Sequence, residues 1–79
     1  MHKLLRLPTV LEKRARSRSA HYLDIQEGLF TLPVLLGARS VGWPDYEVEA
    51  INAARIAGKS DDEIRNLVIK LEAARKALA

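Results

Sequence analysis

The residues best suited to chemistry are cationic side chains that crowd into six positions near the start of the chain. They are Lys13, Arg14, Arg16 and Arg18. Ser17, Ser19 and Tyr22 add hydroxyl groups around the last of them. Ammonium, guanidinium and hydroxyl groups contact phosphates, and arginine also makes a two-pronged contact with guanine. The segment therefore predicts a surface for an anionic polymer, with double-stranded DNA as the favoured partner, rather than an ordinary solvated turn.

The distribution of charge supports an anionic partner. Residues 1–22 carry six basic side chains and one acidic one, whereas residues 23–79 carry seven basic and nine acidic ones. Because a local field attracts a polyanion more than a small net charge does, we expect the partner at the N-terminal part.

Two short helices are predicted to position these residues. The segment 9–14 has helix-forming character, and Thr9 with Glu12 has the spacing of a capping box. A second helix is predicted to begin after Ser17 or Ser19 as its N-cap and to end at Gly28. Such a pair, separated by about three residues, is typical of a helix-turn-helix, in which the second helix enters the major groove of DNA.

A β-hairpin is predicted next, because "PVLL" and "SVGW" lie on either side of "GAR". The residues expected to pack it are Leu35, Leu36, Val41 and Trp43. Arg39 falls at its tip, where no demand of the core explains a cation. A hairpin in this place is a wing, and its arginine is expected to contact a phosphate or the minor groove.

Two helices complete the chain. One is predicted to start near Pro44 and to end through Gly58, and the other to follow the capping-box pattern of Ser60 with Glu63. The last helix has an apolar face formed by Ile64, Leu67, Val68 and Leu71. This face either packs on its own domain or forms the seam of a homodimer. The fold class is mainly α with a small β-hairpin: a winged helix-turn-helix over residues 1–58, followed by a C-terminal helix within residues 59–79.

Several classes of function are excluded by the composition. There is no cysteine, and His2 and His21 lie far apart in unlike segments, so we expect no metal site and no cofactor. Ser19, His21 and Asp24 cannot form a catalytic triad from one short helix, and we expect neither catalysis nor a small-molecule ligand. No apolar run approaches the roughly 20 residues of a membrane span, so we expect no membrane contact and a cytoplasmic protein.

Four blocks in order resemble the AlpA-type phage regulatory proteins, which are related to excisionases. The blocks are "LLRLPTVLEK", "SRS..Y....EGLF", "PV.LG.R.VGW" and "EVEA", within residues 4–55. The resemblance implies a winged helix-turn-helix like that of the MerR group. It also implies that the recognition helix begins with Ser17, Arg18, Ser19 and Tyr22, and that Arg39 belongs to the wing.

The chain departs from the family pattern at six positions, of which Ala20 and Leu23 stand where it usually has threonine and arginine. Ala15 and Arg16 stand where the pattern usually has glycine and leucine in the turn; His21 and Asp24 stand where it has a core isoleucine and leucine. Two interpretations are open. Either His21 and Asp24 pair in a half-buried site, or the helix is rotated so that Leu23 points inward. In either case Asp24 is expected to face away from the phosphates of DNA.

The expected function is that of a sequence-specific DNA-binding transcriptional regulator of a prophage or integrated element. An excisionase-like factor that bends DNA is an alternative within the same class. An alternative of another class is a small helical protein-interaction module built on residues 44–79.

Overall fold

The structure, a computed structural model, describes residues 2–78 and the side chains of residues 2–77. The predicted regions 1–58 and 59–79 begin with Met1 and end with Ala79, and these two residues lie outside the described residues. The elements in chain order are β1 (Leu4–Leu5), α1 (Leu7–Arg14), α2 (Arg18–Gln26), β2 (Val34–Leu35), β3 (Val41–Pro44), α3 (Asp45–Ile56), α4 (Asp61–Ala74) and a 3-10 turn (Arg75–Leu78). The prediction of a mainly α fold with a small β-hairpin is confirmed, and the order is that of a winged helix-turn-helix followed by C-terminal helices.

Helix α1 begins earlier than predicted. Its N-cap is Arg6, which makes no side-chain capping bond, and Pro8 occupies the first turn. Proline is well placed there because its missing N–H has no partner in a first turn. The capping box predicted for Thr9 and Glu12 is therefore wrong.

Helix α2 begins and ends where the sequence indicated. Ser17 is the N-cap, and its Oγ accepts a hydrogen bond from the backbone N–H of Ala20 at 3.2 Å. Gly28 follows the helix with φ +76°, the left-handed conformation that glycine adopts most cheaply. Both the N-cap and the stop signal are thus confirmed.

The predicted hairpin is present, and β1 extends it to a three-stranded antiparallel sheet in the order β1-β3-β2. Val34 pairs with Gly42 in the hairpin, whereas Leu5 pairs with Trp43 across β1 and β3. Strand β1 was not predicted, because two residues are too few to show an alternating pattern.

The packing of the hairpin differs in part from expectation. Trp43 is fully buried, and its Nε1 donates to the carbonyl oxygen of Thr31 at 2.9 Å. Val41 is half-buried, but Leu35 is 78% exposed and Leu36 is 41% exposed. The expectation that Leu35 packs the hairpin is therefore wrong.

Helix α4 packs on its own domain. Its capping box is formed in both directions, with Ser60 N donating to Glu63 Oε1 and Glu63 N donating to Ser60 Oγ. Ile64 and Val68 are buried in the core, and Leu67 and Leu71 are half-buried against it. Of the four residues expected to form a dimer seam, Ile64 and Val68 thus have almost no surface left for a second copy.

The core draws side chains from α1, α3, α4, β3 and the segment after α2. It consists of Val10, Leu29, Phe30, Trp43, Val48, Ile51, Ile64 and Val68. The buried side chains of α2 are polar instead: they are His21 and Asp24. Among the residues that the structure describes, no helix is both long enough and apolar enough to cross a membrane.

Candidate DNA-binding surface

Helix α2 has one exposed face and one buried face. The exposed face, called here the outer face of α2, consists of Arg18, Ser19, Tyr22, Leu23 and Gln26. On the opposite side, His21 is fully buried and Asp24 is 4% exposed. Leu23 is 52% exposed, so the interpretation that the helix is rotated to bring Leu23 inward is wrong. Asp24 faces away from the outer face, as expected.

His21 and Asp24 are joined through Arg14 rather than to each other. Arg14 Nη1 donates to His21 Nδ1 at 2.7 Å, and Arg14 Nη2 donates to Asp24 Oδ2 at 2.8 Å. Arg16 clamps the same carboxylate, from Nε to Oδ2 at 3.0 Å and from Nη2 to Oδ1 at 2.8 Å. These four residues, Arg14, Arg16, His21 and Asp24, form the turn cluster.

The turn cluster keeps Asp24 ionised although it is buried. Burial by itself would raise the pKa of this carboxyl, but the hydrogen bonds from Arg16 and Arg14 lower the pKa below its ordinary value. Arg14 also lies over the ring of Phe30, with its guanidinium carbon 3.9 Å from the ring centroid. This cation–π contact adds a second favourable partner for a buried cation.

His21 is held in its neutral form. Burial, followed by repulsion from Arg14, lowers the pKa of His21 to about 4. Because a guanidinium can only donate, Nδ1 must be the acceptor and the proton of the neutral ring lies on Nε2. Nε2 has no hydrogen-bond partner among the described residues, and the ring lies edge-on to Trp43 with centroids 4.9 Å apart.

Two of the cations predicted to contact DNA, Arg14 and Arg16, are thus held by Asp24. The side chain of Arg14 is only 4% exposed, so it leaves the set of candidate DNA contacts. The side chain of Arg16 is 41% exposed, and Asp24 fixes its orientation. The sequence held a signal for Arg14, which lies four residues after Val10 and therefore on the buried face of α1.

Three of the six departures from the family pattern meet in this cluster. Arg16, His21 and Asp24 stand where the pattern has apolar residues, and they contact one another directly or through Arg14. A further departure, Ala15, ends α1 in the left-handed conformation with φ 55°, where the pattern has glycine. In this chain the turn between the two helices is thus held by charged side chains.

The other candidate residues remain accessible in the structure. Arg18, Ser19 and Tyr22 share the outer face of α2, and Ser17 is the cap of that helix. Lys13 is exposed at the end of α1, where Asn52 Nδ2 donates to its backbone carbonyl at 3.1 Å. Lys13 and Arg16 also line a cleft of about 560 Å³ together with Asn52, Arg55 and Asp61.

Arg39 is exposed at the tip of the hairpin, as predicted for a wing. In the part of the chain that the structure describes, no hydrogen bond or ion pair connects it to α2. The structure therefore places the candidates in two locations, around α2 and at the hairpin tip.

Leu23 and Gln26 were missed as members of this surface. Both follow from the helical spacing, because Leu23 lies four residues after Ser19 and Gln26 lies four residues after Tyr22. No function was expected of Leu23, because leucine on a short helix is usually buried in the core.

The family model for the prophage CP4-57 regulatory protein AlpA matches residues 3–55, which is more than half of the chain. The chain belongs to the AlpA family. The match spans β1 to nearly the end of α3, so it includes the turn cluster and the hairpin, and it stops before α4.

A relative of this AlpA-family protein occurs in a phage. The chain is 42% identical over 57 residues to the uncharacterized protein ORF88 of Enterobacteria phage P4, which covers 72% of this chain and 65% of that protein. The chain therefore spans slightly less than two thirds of the length of that relative. No solved structure matches the chain.

Proposed function

We propose that this AlpA-family protein is a sequence-specific DNA-binding transcriptional regulator of a prophage or integrated element, with α2 as its recognition helix. One observation carries the proposal. The single acid of α2, Asp24, is turned inward and neutralised, so the outer face presents one arginine, two hydroxyl groups, an amide and a leucine. Such a face meets no electrostatic penalty beside phosphates.

The position of each side chain indicates its role. Arg18 is the first residue of α2, and the N-terminal residues of a recognition helix contact base edges. Its guanidinium suits the O6 and N7 atoms of guanine. Ser19 and Tyr22 supply hydroxyl groups for phosphate contacts.

Three further cations are proposed to contact the DNA backbone. Lys13 lies at the end of α1, and Arg16 is already oriented by Asp24 with part of its guanidinium exposed. Arg39 at the hairpin tip is proposed to contact a phosphate or the minor groove.

Membership of a prophage regulatory family supports a regulatory role in phage biology. A protein-interaction module built on residues 44–79 has less support, because the apolar face of α4 is largely buried against its own domain. A homodimer through Leu67 and Leu71 would bury only the half-exposed part of that face.

The proposal is tested by the salt dependence of binding to a random-sequence duplex, measured by fluorescence anisotropy. The logarithm of the affinity should fall linearly with the logarithm of the salt concentration, with a slope of about −0.9 per phosphate contacted. Lys13→Ala should reduce the magnitude of this slope by about 1.

Lys70→Ala is the matched control, because Lys70 is exposed on α4, away from α2. It should leave the slope unchanged. Binding that does not depend on salt, or an equal effect of the two alanine variants, would refute the proposed DNA contact.

A further inference from the structure

Helix α2 is arranged with a leucine outside and an acid inside. Leu23 is 52% exposed, while its neighbour Asp24 is enclosed and held by two arginines. A rotation of the helix would have buried the leucine and released the acid into water. The turn cluster prevents that rotation because it holds Asp24 through three hydrogen bonds from Arg14 and Arg16. The exposure of Leu23 is therefore imposed by specific contacts.

Leu23 lies among residues that are otherwise polar. Ser19 precedes it by four positions and Gln26 follows it by three, so the three form one row of the outer face. Arg18 and Tyr22, also four apart, form the second row. If α2 lies in the major groove of DNA, each row faces one wall of that groove.

The chemistry of base edges indicates what an aliphatic side chain can recognise in the major groove. Thymine presents a methyl group there, whereas the edges of guanine, adenine and cytosine present hydrogen-bonding atoms. A leucine pressed against those atoms would remove water from them without replacing its hydrogen bonds, which is unfavourable. Leucine therefore discriminates in favour of the thymine methyl group.

We propose that Leu23 is a specificity-determining residue that contacts the 5-methyl group of a thymine in the bound site. This inference rests on the proposed function, because it requires α2 to lie in the major groove. Leu23 lies five residues after Arg18, a rise of about 7.5 Å along the helix axis. That rise corresponds to about two base steps of DNA. The thymine is thus expected about two positions from the base that Arg18 contacts.

The experiment begins with selection of a binding site from a randomised duplex library by the wild-type protein. Each thymine of the selected duplex is then replaced in turn by deoxyuridine, which removes only the methyl group. Binding is measured by fluorescence anisotropy for the wild type, for Leu23→Ala and for Ile69→Ala. Ile69 is a matched control, because it is 64% exposed on α4. Circular dichroism verifies that each variant is folded.

One thymine should be sensitive to its replacement. The wild type and Ile69→Ala should bind that deoxyuridine duplex about four-fold more weakly, the equivalent of one apolar carbon removed from contact. Leu23→Ala should bind the thymine and deoxyuridine duplexes equally well. Leu23→Arg should select guanine at or beside this position, since an arginine there can contact its O6 and N7 atoms.

The failures of the two proposals are distinguishable. If a site is selected but no thymine is sensitive, or if Leu23→Ala retains the sensitivity, the role of Leu23 is refuted while sequence-specific binding stands. If no site is selected and binding to duplex DNA is independent of sequence, the proposed function itself is refuted.

Discussion

The protein buries two carboxylates, and each is neutralised by arginine in a different way. Asp24 in the turn cluster is shared by Arg14 and Arg16, which lie ten and eight residues before it. Glu47 on α3 is fully buried and receives two hydrogen bonds of 2.7 Å from Arg75, which lies 28 residues after it. The first site is local in sequence, whereas the second joins distant parts of the chain.

The two sites also do different things for the fold. Arg75 donates a further hydrogen bond to the carbonyl oxygen of Leu32 at 2.7 Å, so it fastens the end of the chain to the loop before the hairpin. The hydrogen bonds that Arg75 donates to the Glu47 carboxylate raise the pKa of Arg75 above its ordinary value. The turn cluster instead fixes the rotation of α2 and thereby decides which residues form its outer face. A buried ion pair thus joins distant parts of the chain at one site and fixes the orientation of a helix at the other.

The largest expected effect is the loss of Asp24. Asp24→Ala would leave Arg14 enclosed without its counter-charge, and breaking a buried pair in this way costs about 3–5 kcal/mol. Glu47→Ala should cost less, because the side chain of Arg75 is 23% exposed and can turn towards water. Urea denaturation of both variants measures the difference. Equal losses, or a greater loss for Glu47→Ala, would contradict the distinction drawn between the two sites.

A smaller effect on stability is expected when the turn cluster is exposed to acid. The pKa of His21 is about 4 in the folded protein, against an ordinary value of about 6.5 in the unfolded chain. Between these values the unfolded state binds the extra proton, so stability falls as the pH falls. Asp24 affects stability at lower pH than His21 does. Its pKa in the folded protein is lowered, so its stabilising effect is complete above the ordinary carboxyl pKa and is lost as the pH falls towards the lowered pKa.

The free energy of unfolding should therefore fall by roughly 1 kcal/mol between about pH 6 and pH 5. His21→Leu should lose this dependence, whereas Arg75→Ala, which acts at the other site, should keep it. Urea denaturation at the two pH values checks the expectation. An unchanged slope in His21→Leu would show that the histidine is not the group that titrates.

The smallest expected effect concerns the backbone of the turn. Ala15 has φ 55°, whereas the residues with positive φ after α2 and α3 are Gly28 and Gly58. Because a left-handed conformation is unfavourable for a residue with a Cβ atom, Ala15→Gly should stabilise the protein by about 0.5–1 kcal/mol. Ala53→Gly, on the exposed side of α3, should instead destabilise it by about 1 kcal/mol. Thermal unfolding of the two variants would refute this account of the turn if both changes were destabilising.

The sequence was sufficient to predict the elements that have strong local signals. Ser17 and Ser60 mark helix starts through capping, and Gly28 and Gly58 mark helix ends through their backbone freedom, so these boundaries needed no knowledge of the tertiary structure. Strand β1 had no such signal, because two residues are held there only by pairing with β3.

The burial of the candidate residues was predictable only in part. A count of cations identified a basic segment, but a count cannot show that Arg14 is the cation that is buried. Arg14 is enclosed because Asp24, His21 and Phe30 together compensate for its desolvation. Two of these partners, His21 and Asp24, stand where the family pattern has apolar residues. Their contacts with Arg14 can therefore be recognised only in the three-dimensional structure.

The central claim is that the exposed outer face of α2, rather than the basic character of the segment as a whole, recognises DNA. The most direct test compares footprints of the wild type, Arg18→Ala and Lys70→Ala on a duplex selected by the wild type. Arg18→Ala should lose its sequence preference, bind all duplexes with similar weak affinity and keep the circular dichroism spectrum of the wild type. Lys70→Ala should give the wild-type footprint. An unchanged footprint from a folded Arg18→Ala variant would contradict the assignment of α2 as the recognition helix.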